Sequence, residues 1–286
     1  MSECTSDCSS CSSDCASKQG STDFTAHLAP GSHVKHVYAV MSGKGGVGKS
    51  LVTSMLASAF AAKGHRTAIL DADITGPSIP RSFNVKRDEL MVTGEDDETA
   101  LLVPPVSSNG IRIMSANLLV ENEDDPIVWR GSLIASAVKQ FYSDVFWDDI
   151  EYMFVDMPPG TGDVPLTVFQ SLPVEGIIMV TSPQELVSMI VSKAVKMAKQ
   201  MNIPVLGLIE NMSYFECPDN GKKYNVFGES HIDEVAEAEG IKVLAKLPIN
   251  PETAKLVDAG KAAEIDIAPM EEAVKIITAV AGFKKD

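Results

Sequence analysis

The sequence predicts an α/β fold in which a doubly wound, mainly parallel sheet is flanked by helices. From residue 34 onward, short apolar runs alternate with helical stretches. The apolar runs are nearly continuous, which is typical of strands covered on both faces of a parallel sheet. A glycine-rich segment from Gly43 to Ser50 joins the first of these strands to the first helix. In such a fold we expect the ligand at the carboxyl ends of the strands.

Each strand is predicted from a short apolar run bounded by turn-forming residues. The predicted strands cover 36–42, 67–73, 111–117, 152–158, 176–182, 205–211 and 242–248. The predicted helices cover 49–63, 131–144, 184–201, 229–239 and 251–259. The acidic segment 84–105 is less regular, and we expect a loop with short strands. The amphipathic stretch EEAVKIITAVAGFKK near the C-terminus is predicted to pack as a terminal helix.

Residues 1–33 are predicted to form a flexible, cysteine-rich tail, and residues 34–286 to form the α/β domain that contains the glycine-rich segment. The tail is rich in Ser, Thr, Asp and Cys and has no apolar periodicity, so it cannot bury a core by itself. Three histidines lie near the junction and lack metal-ligand spacing with the cysteines. We expect them to be solvated linker residues; they are His27, His33 and His36.

Charge and hydropathy restrict the possible partners and the compartment. The formal net charge is −15, which argues against a nucleic-acid-binding surface and against binding to anionic membranes. No uncharged apolar run reaches about 18 residues, so no transmembrane helix is predicted. The N-terminus has neither a basic start nor an apolar core, so it is not a secretory signal. We therefore expect a cytoplasmic protein with reduced thiols.

The segment Gly43 to Ser50 has the spacing Gly-x-x-x-x-Gly-Lys-Ser of a phosphate-binding loop between a strand and a helix. Its glycines allow backbone N–H groups to turn toward one anion. Lys49 is expected to reach the β- and γ-phosphates, and the Ser50 hydroxyl to ligate Mg²⁺. The predicted nucleotide-binding residues here are Gly43, Lys44, Gly45, Gly46, Val47, Gly48, Lys49 and Ser50.

Three aspartates end two predicted strands and should face the same crevice as the loop. Asp156 suits Mg²⁺ coordination, directly or through water. Asp73 is placed to orient the attacking water or accept its proton. Asp71 would support Mg²⁺ or position Asp73. The alternative for any one of them is a helix cap or a turn former.

The loop carries a second lysine, Lys44, directly after its first glycine. Lys49 already serves the nucleotide, so Lys44 is free to point outward over the phosphates. Phosphoryl transfer is accelerated by an additional cation, which a partner chain can supply. Two subunits facing each other would each offer Lys44 to the other's ATP. The alternative is a solvated loop lysine.

The segment GKGGVGKS resembles the deviant Walker A loop of the MinD/ParA/nitrogenase iron-protein class of ATPases. More narrowly, DADITGPSIP, WRGSL, VDMPPGTGD, TSPQE and ENMSYFECP resemble the Mrp/ApbC-type iron–sulfur cluster carrier ATPases over residues 36–282. The resemblance implies an ATP-hydrolysing homodimer that binds a labile iron–sulfur cluster and delivers it to apoproteins. It also implies that Asn211 contacts the adenine base. A polar strand terminus is the alternative for that residue.

The cysteines depart from the Cys-Pro-x-Cys motif that is usual in this family. Cys217 is present, but Asn220 stands at the second cysteine position, and an amide is a poor iron ligand. The tail offers four further thiolates at Cys4, Cys8, Cys11 and Cys15. Iron–sulfur ligation, zinc ligation and a tail that binds no metal all remain open. The alternative functions are a metal-free positioning or regulatory ATPase and a zinc-binding, thiol-regulated NTPase.

Overall fold

A computed structural model describes residues 25–74, 76–94, 100–120, 131–183 and 187–283. The predicted strands are all present, with bounds that differ by a few residues. The strands are β1 (His33–Ser42), β2 (Thr67–Asp71), β3 (Met91–Thr93), β4 (Leu101–Val103), β5 (Arg112–Ser115), β6 (Asp149–Asp156), β7 (Gly176–Thr181), β8 (Val205–Glu216), β9 (Lys223–Tyr224) and β10 (Val243–Pro248). The helices are α1 (Lys49–Ala62), α2 (Ile79–Ser82), α3 (Gly131–Ser143), α4 (Asp163–Ser171), α5 (Val187–Gln200), α6 (Ile232–Glu239), α7 (Pro251–Asp258) and α8 (Glu271–Phe283).

The main sheet is parallel along its whole path, in the order β10-β8-β7-β1-β6-β2-β5. β1 lies at the centre, so the chain places β2, β5 and β6 on one side of it and β7, β8 and β10 on the other. The loops that follow β1, β2 and β6 therefore open at the same edge of the sheet. The predicted doubly wound fold is confirmed.

Two hydrophobic cores cover the two faces of this sheet, because successive strand residues point to opposite sides. In β1, Val37 and Ala39 lie in one core, whereas Tyr38 and Val40 lie in the other. Helices α3, α4, α5 and α6 pack on the first face, and α1, α2 and α8 pack on the second. This double coverage explains why the strands are apolar at nearly every position.

Several smaller elements were predicted incompletely. The irregular segment 84–105 does contain two short strands, β3 and β4, which pair antiparallel. Helix α4 was not predicted, since its nine residues follow a loop rich in proline and glycine. β8 continues to Glu216 and then pairs antiparallel with β9, forming a hairpin beyond the predicted end of the strand. None of the helices in the described ranges is long and apolar enough to cross a lipid bilayer.

The prediction for the junction histidines was wrong for His36. β1 begins at His33, so position 36 lies inside the sheet rather than in a linker. The His36 side chain is buried, and its Nδ1 lies 2.9 Å from Oε2 of Glu175. His27 and His33 are exposed, as expected.

The last residues of the segment assigned to the tail lie against the domain. Ala26 is buried in the first core, and its backbone N–H donates to the carbonyl of Ser171 at 2.7 Å. The Ser32 hydroxyl accepts from the backbone N–H of Trp147 at 3.0 Å. Residues 1–24 lie outside the described residues, so the division of the chain after residue 33 stays a prediction.

Candidate nucleotide-binding site

The glycine loop between β1 and α1 has a backbone that other residues would strain. Gly46 and Gly48 both have φ of 79°, in the left-handed region that favours glycine. A Cβ at Gly48 would lie 2.2 Å from Nδ2 of Asn211, and one at Gly43 would lie 1.7 Å from Cγ2 of Ile190. The loop is therefore shaped by its own glycines and by close contact with β8 and α5.

Three side chains of α1 converge on Asp156, which is fully buried at the carboxyl end of β6. Nζ of Lys49 lies 2.7 Å from Oδ2 of Asp156. The Ser50 hydroxyl donates to the same oxygen at 2.6 Å. The Thr53 hydroxyl donates to the other carboxylate oxygen at 2.6 Å. Charge-assisted hydrogen bonds of this kind are the stronger ones in proteins, so Asp156 holds the first turn of α1 in one arrangement.

The two aspartates after β2 have different environments. Asp73 faces the loop, with its Oδ2 3.4 Å from Nζ of Lys49. Asp71 is fully buried and accepts hydrogen bonds from the Ser115 hydroxyl and from the backbone N–H of Asp73, at 3.0 and 3.1 Å. Burial, together with the nearby Asp156 carboxylate, raises the pKa of Asp71 to about 8. Of the two roles predicted for Asp71, these contacts favour the positioning of Asp73.

A cavity of about 300 Å³ lies over the loop. It is lined by Ser42, Gly45, Gly46, Gly48, Lys49, Ser50, Leu51, Asp73, Ser78 and Pro159. One end is formed by loop backbone and a lysine, which suits a polyphosphate. The Ser50 hydroxyl and the carboxylates of Asp73 and Asp156 are hard oxygen donors, the donor set that Mg²⁺ prefers. The residues present therefore fit a magnesium–nucleotide ligand.

Lys44 is half-buried and does not line this cavity. Its backbone carbonyl accepts a hydrogen bond from the Ser42 hydroxyl at 2.9 Å, which fixes the start of the loop. Of the two lysines of the loop, Lys49 lines the cavity of its own chain. The role of Lys44 toward a partner chain stays a prediction.

Asn211 lies in β8, next to the loop. Its Nδ2 donates to the carbonyl of Val47 at 3.0 Å, and Val47 itself is buried in the second core. Asn211 also lines a second cavity, of about 60 Å³, together with Leu51, Met55, Leu247, Pro248, Asn250, Thr253, Asp266 and Pro269. Leu51 borders both cavities. An extended ligand with its phosphates on the loop can therefore place an aromatic group beside Asn211.

Cys217 follows the last residue of β8 and begins the turn into β9. Its backbone N–H donates to the carbonyl of Lys222 at 2.9 Å, and its carbonyl accepts from the N–H of Gly221 at 2.8 Å. Oδ1 of Asn220 accepts from the backbone N–H of Lys222 at 2.9 Å. The Asn220 amide thus stabilises the turn, while the Cys217 thiol is free and partly exposed.

The structure brings together most of the residues that the sequence singled out. Lys49, Ser50, Asp73 and Asp156 form one cluster, whereas Cys217 lies outside it, six residues after Asn211 and just beyond the end of β8. Thr53 was missed, although a threonine four residues after Lys49 lies on the same helix face. Four of the predicted metal ligands lie outside the described residues; they are Cys4, Cys8, Cys11 and Cys15.

Comparison with known proteins agrees with the geometry of the loop. Residues 33–282 match the family described as NUBPL iron-transfer P-loop NTPase. A protein of Clostridium perfringens named iron-sulfur cluster carrier protein is 42% identical over 269 residues, covering 92% of this chain and 94% of the relative. A protein of the same name from Aquifex aeolicus is 41% identical over 258 residues, covering 90% of this chain and 69% of the relative.

Solved structures resemble the chain in the same way. A nucleotide-binding protein from Archaeoglobus fulgidus, in complex with ADP, is 40% identical, with a TM-score of 0.72 over 82% of this chain and 89% of that one. The cell-division ATPase MinD from Pyrococcus furiosus shares the fold at 17% identity, with a TM-score of 0.58 over 86% of this chain and 99% of its own. The glycine loop with its converging lysine, serine and aspartates, and the match along nearly the whole domain, make this chain a member of the NUBPL iron-transfer P-loop NTPase family.

Proposed function

We propose that this chain is an ATP-hydrolysing carrier that holds a labile iron–sulfur cluster in the cytoplasm and delivers it to apoproteins. The observation that carries the proposal is the convergence of Lys49 and Ser50 on Asp156 beneath a glycine loop. The names of the relatives support iron–sulfur cargo. The ADP complex of the Archaeoglobus fulgidus protein supports an adenine nucleotide.

The residues of the first cavity divide the work of phosphoryl transfer. Loop amides and Lys49 bind the phosphates, and Ser50 ligates Mg²⁺, with Asp156 orienting the serine hydroxyl at 2.6 Å. When bound, Mg²⁺ would supply positive charge to offset the charge that develops on the phosphates. Asp73, which lines the cavity, orients the attacking water or accepts its proton. Asp71 acts through the backbone N–H of Asp73 and is a positioning residue.

The second cavity supplies a place for the adenine base. Nδ2 of Asn211 is already bonded to the Val47 carbonyl, so its Oδ1 is the atom left to accept from the base. Leu51 and Pro248 provide apolar surface on which a purine can lie. Nucleotide binding is thereby linked to β8, the strand that ends at the Cys217 turn.

Lys44 is proposed to act across a homodimer. The support is the sequence of the loop, in which Lys44 directly follows Gly43 while Lys49 already lines the nucleotide cavity. ATP would then close the dimer, because each triphosphate is contacted by cations from both protomers. Closure would also make the relative arrangement of the two copies of β8 depend on the bound nucleotide.

The iron–sulfur cluster is treated as cargo. One chain offers one thiol in the hairpin, Cys217, so a homodimer offers two there. Position 220 holds an amide that bonds within the turn, so the hairpin offers no second thiolate. The other four cysteines of the sequence lie in the tail, which is therefore the proposed source of further thiolates. Zinc in the tail and a tail without metal remain the alternatives that experiment must separate.

Nucleotide binding is tested by calorimetry on the purified chain with magnesium ATP. The wild type is expected to bind and hydrolyse ATP, and Lys49→Ala is expected to lose binding or hydrolysis, because its ammonium contacts both Asp156 and the phosphate end of the cavity. The exposed Lys255→Ala variant serves as the control and should behave as wild type. A chain that binds no magnesium nucleotide would remove the basis of the proposal.

Cluster binding is tested by anaerobic reconstitution with iron and sulfide, followed by absorbance and Mössbauer spectra. The full chain should acquire a cluster and transfer it to an apoprotein. Comparing Cys217→Ser with a Cys8→Ser/Cys11→Ser double variant identifies which thiolates hold the cluster. Failure to take up iron, with zinc found in freshly purified protein, would favour the thiol-regulated zinc NTPase instead.

A metal-free positioning or regulatory ATPase is the second candidate, and the asparagine at position 220 is the observation that favours it. Such an ATPase would dimerise with ATP and take up neither iron nor zinc. Its usual forms act on a membrane or on DNA, and the charge of −15 predicts that this chain binds neither. Vesicle pelleting and DNA-shift assays distinguish these cases.

A further inference from the structure

A third cavity, which we call the cationic cavity, lies beyond the nucleotide site, on the far side of α2. It measures about 530 Å³. Its apolar lining includes Val85 and Leu118, which are almost fully buried, and Val120 at its edge. The cavity borders the carboxyl end of β5, the edge of the sheet at which the nucleotide also lies. Nothing in the proposed ATPase mechanism uses this space.

Three cations border the cavity in a chain whose net charge is −15. They are Arg81, Lys86 and Arg87, and all three are exposed. Asp88 is the one carboxylate in the lining, so the rim carries a net charge of about +2 by formal count. In the described ranges, none of the three cations forms an ion pair with a carboxylate. Because all three side chains are exposed, a ligand from solution can reach them.

The short segment that leads into α2 separates the nucleotide cavity from the cationic cavity. Ser78 lines the nucleotide cavity, whereas Arg81 lines the cationic one. The carbonyl of Ser78 accepts from both the backbone N–H and the hydroxyl of Ser82, at 3.1 and 2.9 Å. On the other side, Nδ2 of Asn117, a residue of the cationic cavity, donates to the carbonyl of Pro77 at 3.2 Å. A shift of this segment changes both cavities.

We propose that the cavity bordered by Arg81, Lys86 and Arg87 binds an acidic segment of a partner protein, with carboxylates on the cations and an apolar side chain against Val85 and Leu118. Guanidinium groups recognise carboxylates through paired hydrogen bonds, and the apolar lining provides the remaining contact area. This docking site goes beyond the proposed carrier function. Only its coupling to nucleotide rests on that function.

The cavity favours a peptide over other anions. A single inorganic anion would satisfy the cations and leave the apolar surface exposed to water. A nucleic acid carries a phosphate at every nucleotide and has no aliphatic side chain to place against Val85 and Leu118. A segment that alternates acidic and apolar residues complements both the rim and the lining of the cavity.

The direct test is fluorescence anisotropy of the full chain, without nucleotide, with a labelled peptide of roughly ten residues that alternates Glu and Leu, the length of an extended segment of about 33 Å. The Arg81→Gln/Lys86→Gln/Arg87→Gln variant should bind at least about tenfold more weakly. The control replaces three exposed cations elsewhere and removes the same charge: Arg66→Gln/Lys255→Gln/Lys275→Gln. It should bind within about twofold of the wild type.

Three results would overturn the docking site. The first is equal weakening in the two triple variants, which would indicate a general charge effect. The second is equal binding of a peptide with Gln in place of Glu, which would remove the role of the cations. The third is displacement by a single-stranded oligonucleotide that binds more tightly than the peptide. A charge-reversed Arg81→Glu/Arg87→Glu variant should instead gain affinity for a peptide that alternates Lys and Leu.

Coupling is measured by repeating the titration with a non-hydrolysable magnesium ATP analogue. We expect the peptide affinity to change at least about fivefold, a common size of coupling between two sites. An unchanged affinity overturns the coupling through Ser78 and α2. Because the first titration contains no nucleotide, failure of the peptide to bind and failure of ATP to bind are separate outcomes.

Discussion

The hydrogen bond from Thr53 to Asp156 provides the sharpest test of the site. Both residues are fully buried, and the hydroxyl lies 2.6 Å from the carboxylate oxygen. Thr53→Val keeps the shape of the side chain and removes the donor. One carboxylate oxygen of Asp156 is then left without this partner in a place that water does not reach.

The geometry of this hydrogen bond sets the free energy of unfolding that the Thr53→Val variant loses. The Thr53 hydroxyl also lies 3.0 Å from the Lys49 carbonyl, but the shorter distance to Asp156 indicates that the hydroxyl donates its hydrogen bond mainly to the carboxylate. Losing a buried hydrogen bond to a charged group costs about 2 kcal/mol. For a domain of this size, we expect the Tm to fall by about 4–8 °C.

Function should respond as well, because Asp156 also holds Lys49 and Ser50. We expect the Thr53→Val variant to hydrolyse ATP about tenfold more slowly, the effect of about 1.4 kcal/mol on the barrier. The assays are thermal unfolding by circular dichroism and steady-state phosphate release at saturating magnesium ATP. The Thr53→Ser variant keeps the donor and should retain most of the turnover.

Thr67→Val is the matched control. Thr67 is also buried, but it begins β2 at the opposite end of the sheet. Its hydroxyl donates at 3.0 Å to the backbone carbonyl of residue His65, which is an uncharged acceptor. This variant should lose about 1 kcal/mol of stability and keep normal ATP turnover. The reasoning is refuted if the Thr53→Val variant melts within about 1 °C of the wild type, which would correspond to well under 1 kcal/mol. It is also refuted if the Thr67→Val variant loses turnover to the same extent.

Three further predictions address the loop, the proposed dimer and the buried carboxyl. Gly48→Ala should destabilise folding by at least about 1 kcal/mol more than Gly46→Ala, since both have φ of 79° but only Gly48 faces Asn211 at 2.2 Å; equal urea midpoints would contradict this. Lys44→Ala should leave ATP binding intact by calorimetry and abolish the rise of turnover with protein concentration; normal turnover would remove the cross-subunit role. The pKa of Asp71 is raised to about 8 in the folded state, so between about pH 4 and 8 the carboxyl is protonated when folded and ionised when unfolded. The free energy of unfolding of the wild type should therefore fall, relative to that of Asp71→Asn, by up to about 1.4 kcal/mol per pH unit in this range, with no further loss above pH 8. Urea unfolding across this range measures the difference, and a constant difference would show that Asp71 titrates normally.

The local sequence was enough to predict the parts of the site that depend on chain order. The spacing from Gly43 to Ser50 identified the loop, because each residue type has a role in binding a phosphate: the glycines expose backbone amides, the lysine reaches the phosphates and the serine can ligate Mg²⁺. Asp73 and Asp156 could be placed beside it, since parallel strands end at one edge of a sheet. Each predicted strand is present in the structure, because a parallel sheet covered on both faces requires apolar residues at nearly every strand position.

Contacts between elements that are distant in sequence could not be predicted in this way. Thr53 is an ordinary helix residue until Asp156, 103 positions later, is placed next to it. His36 resembled a linker residue because its partner, Glu175, is 139 positions away. Likewise, the need for glycine at position 48 arises partly from the side chain of Asn211, on a strand that the chain reaches much later.

The sequence by itself thus determined the fold class and the phosphate loop, because both depend on periodicity and spacing within short windows. The tertiary structure alone decided which carboxylate is buried and bonded, and which faces the cavity. It also assigned the Asn220 amide to a turn and placed three cations around an apolar cavity on the far side of α2. These features depend on burial and on the meeting of side chains from separate elements, and a linear pattern carries neither.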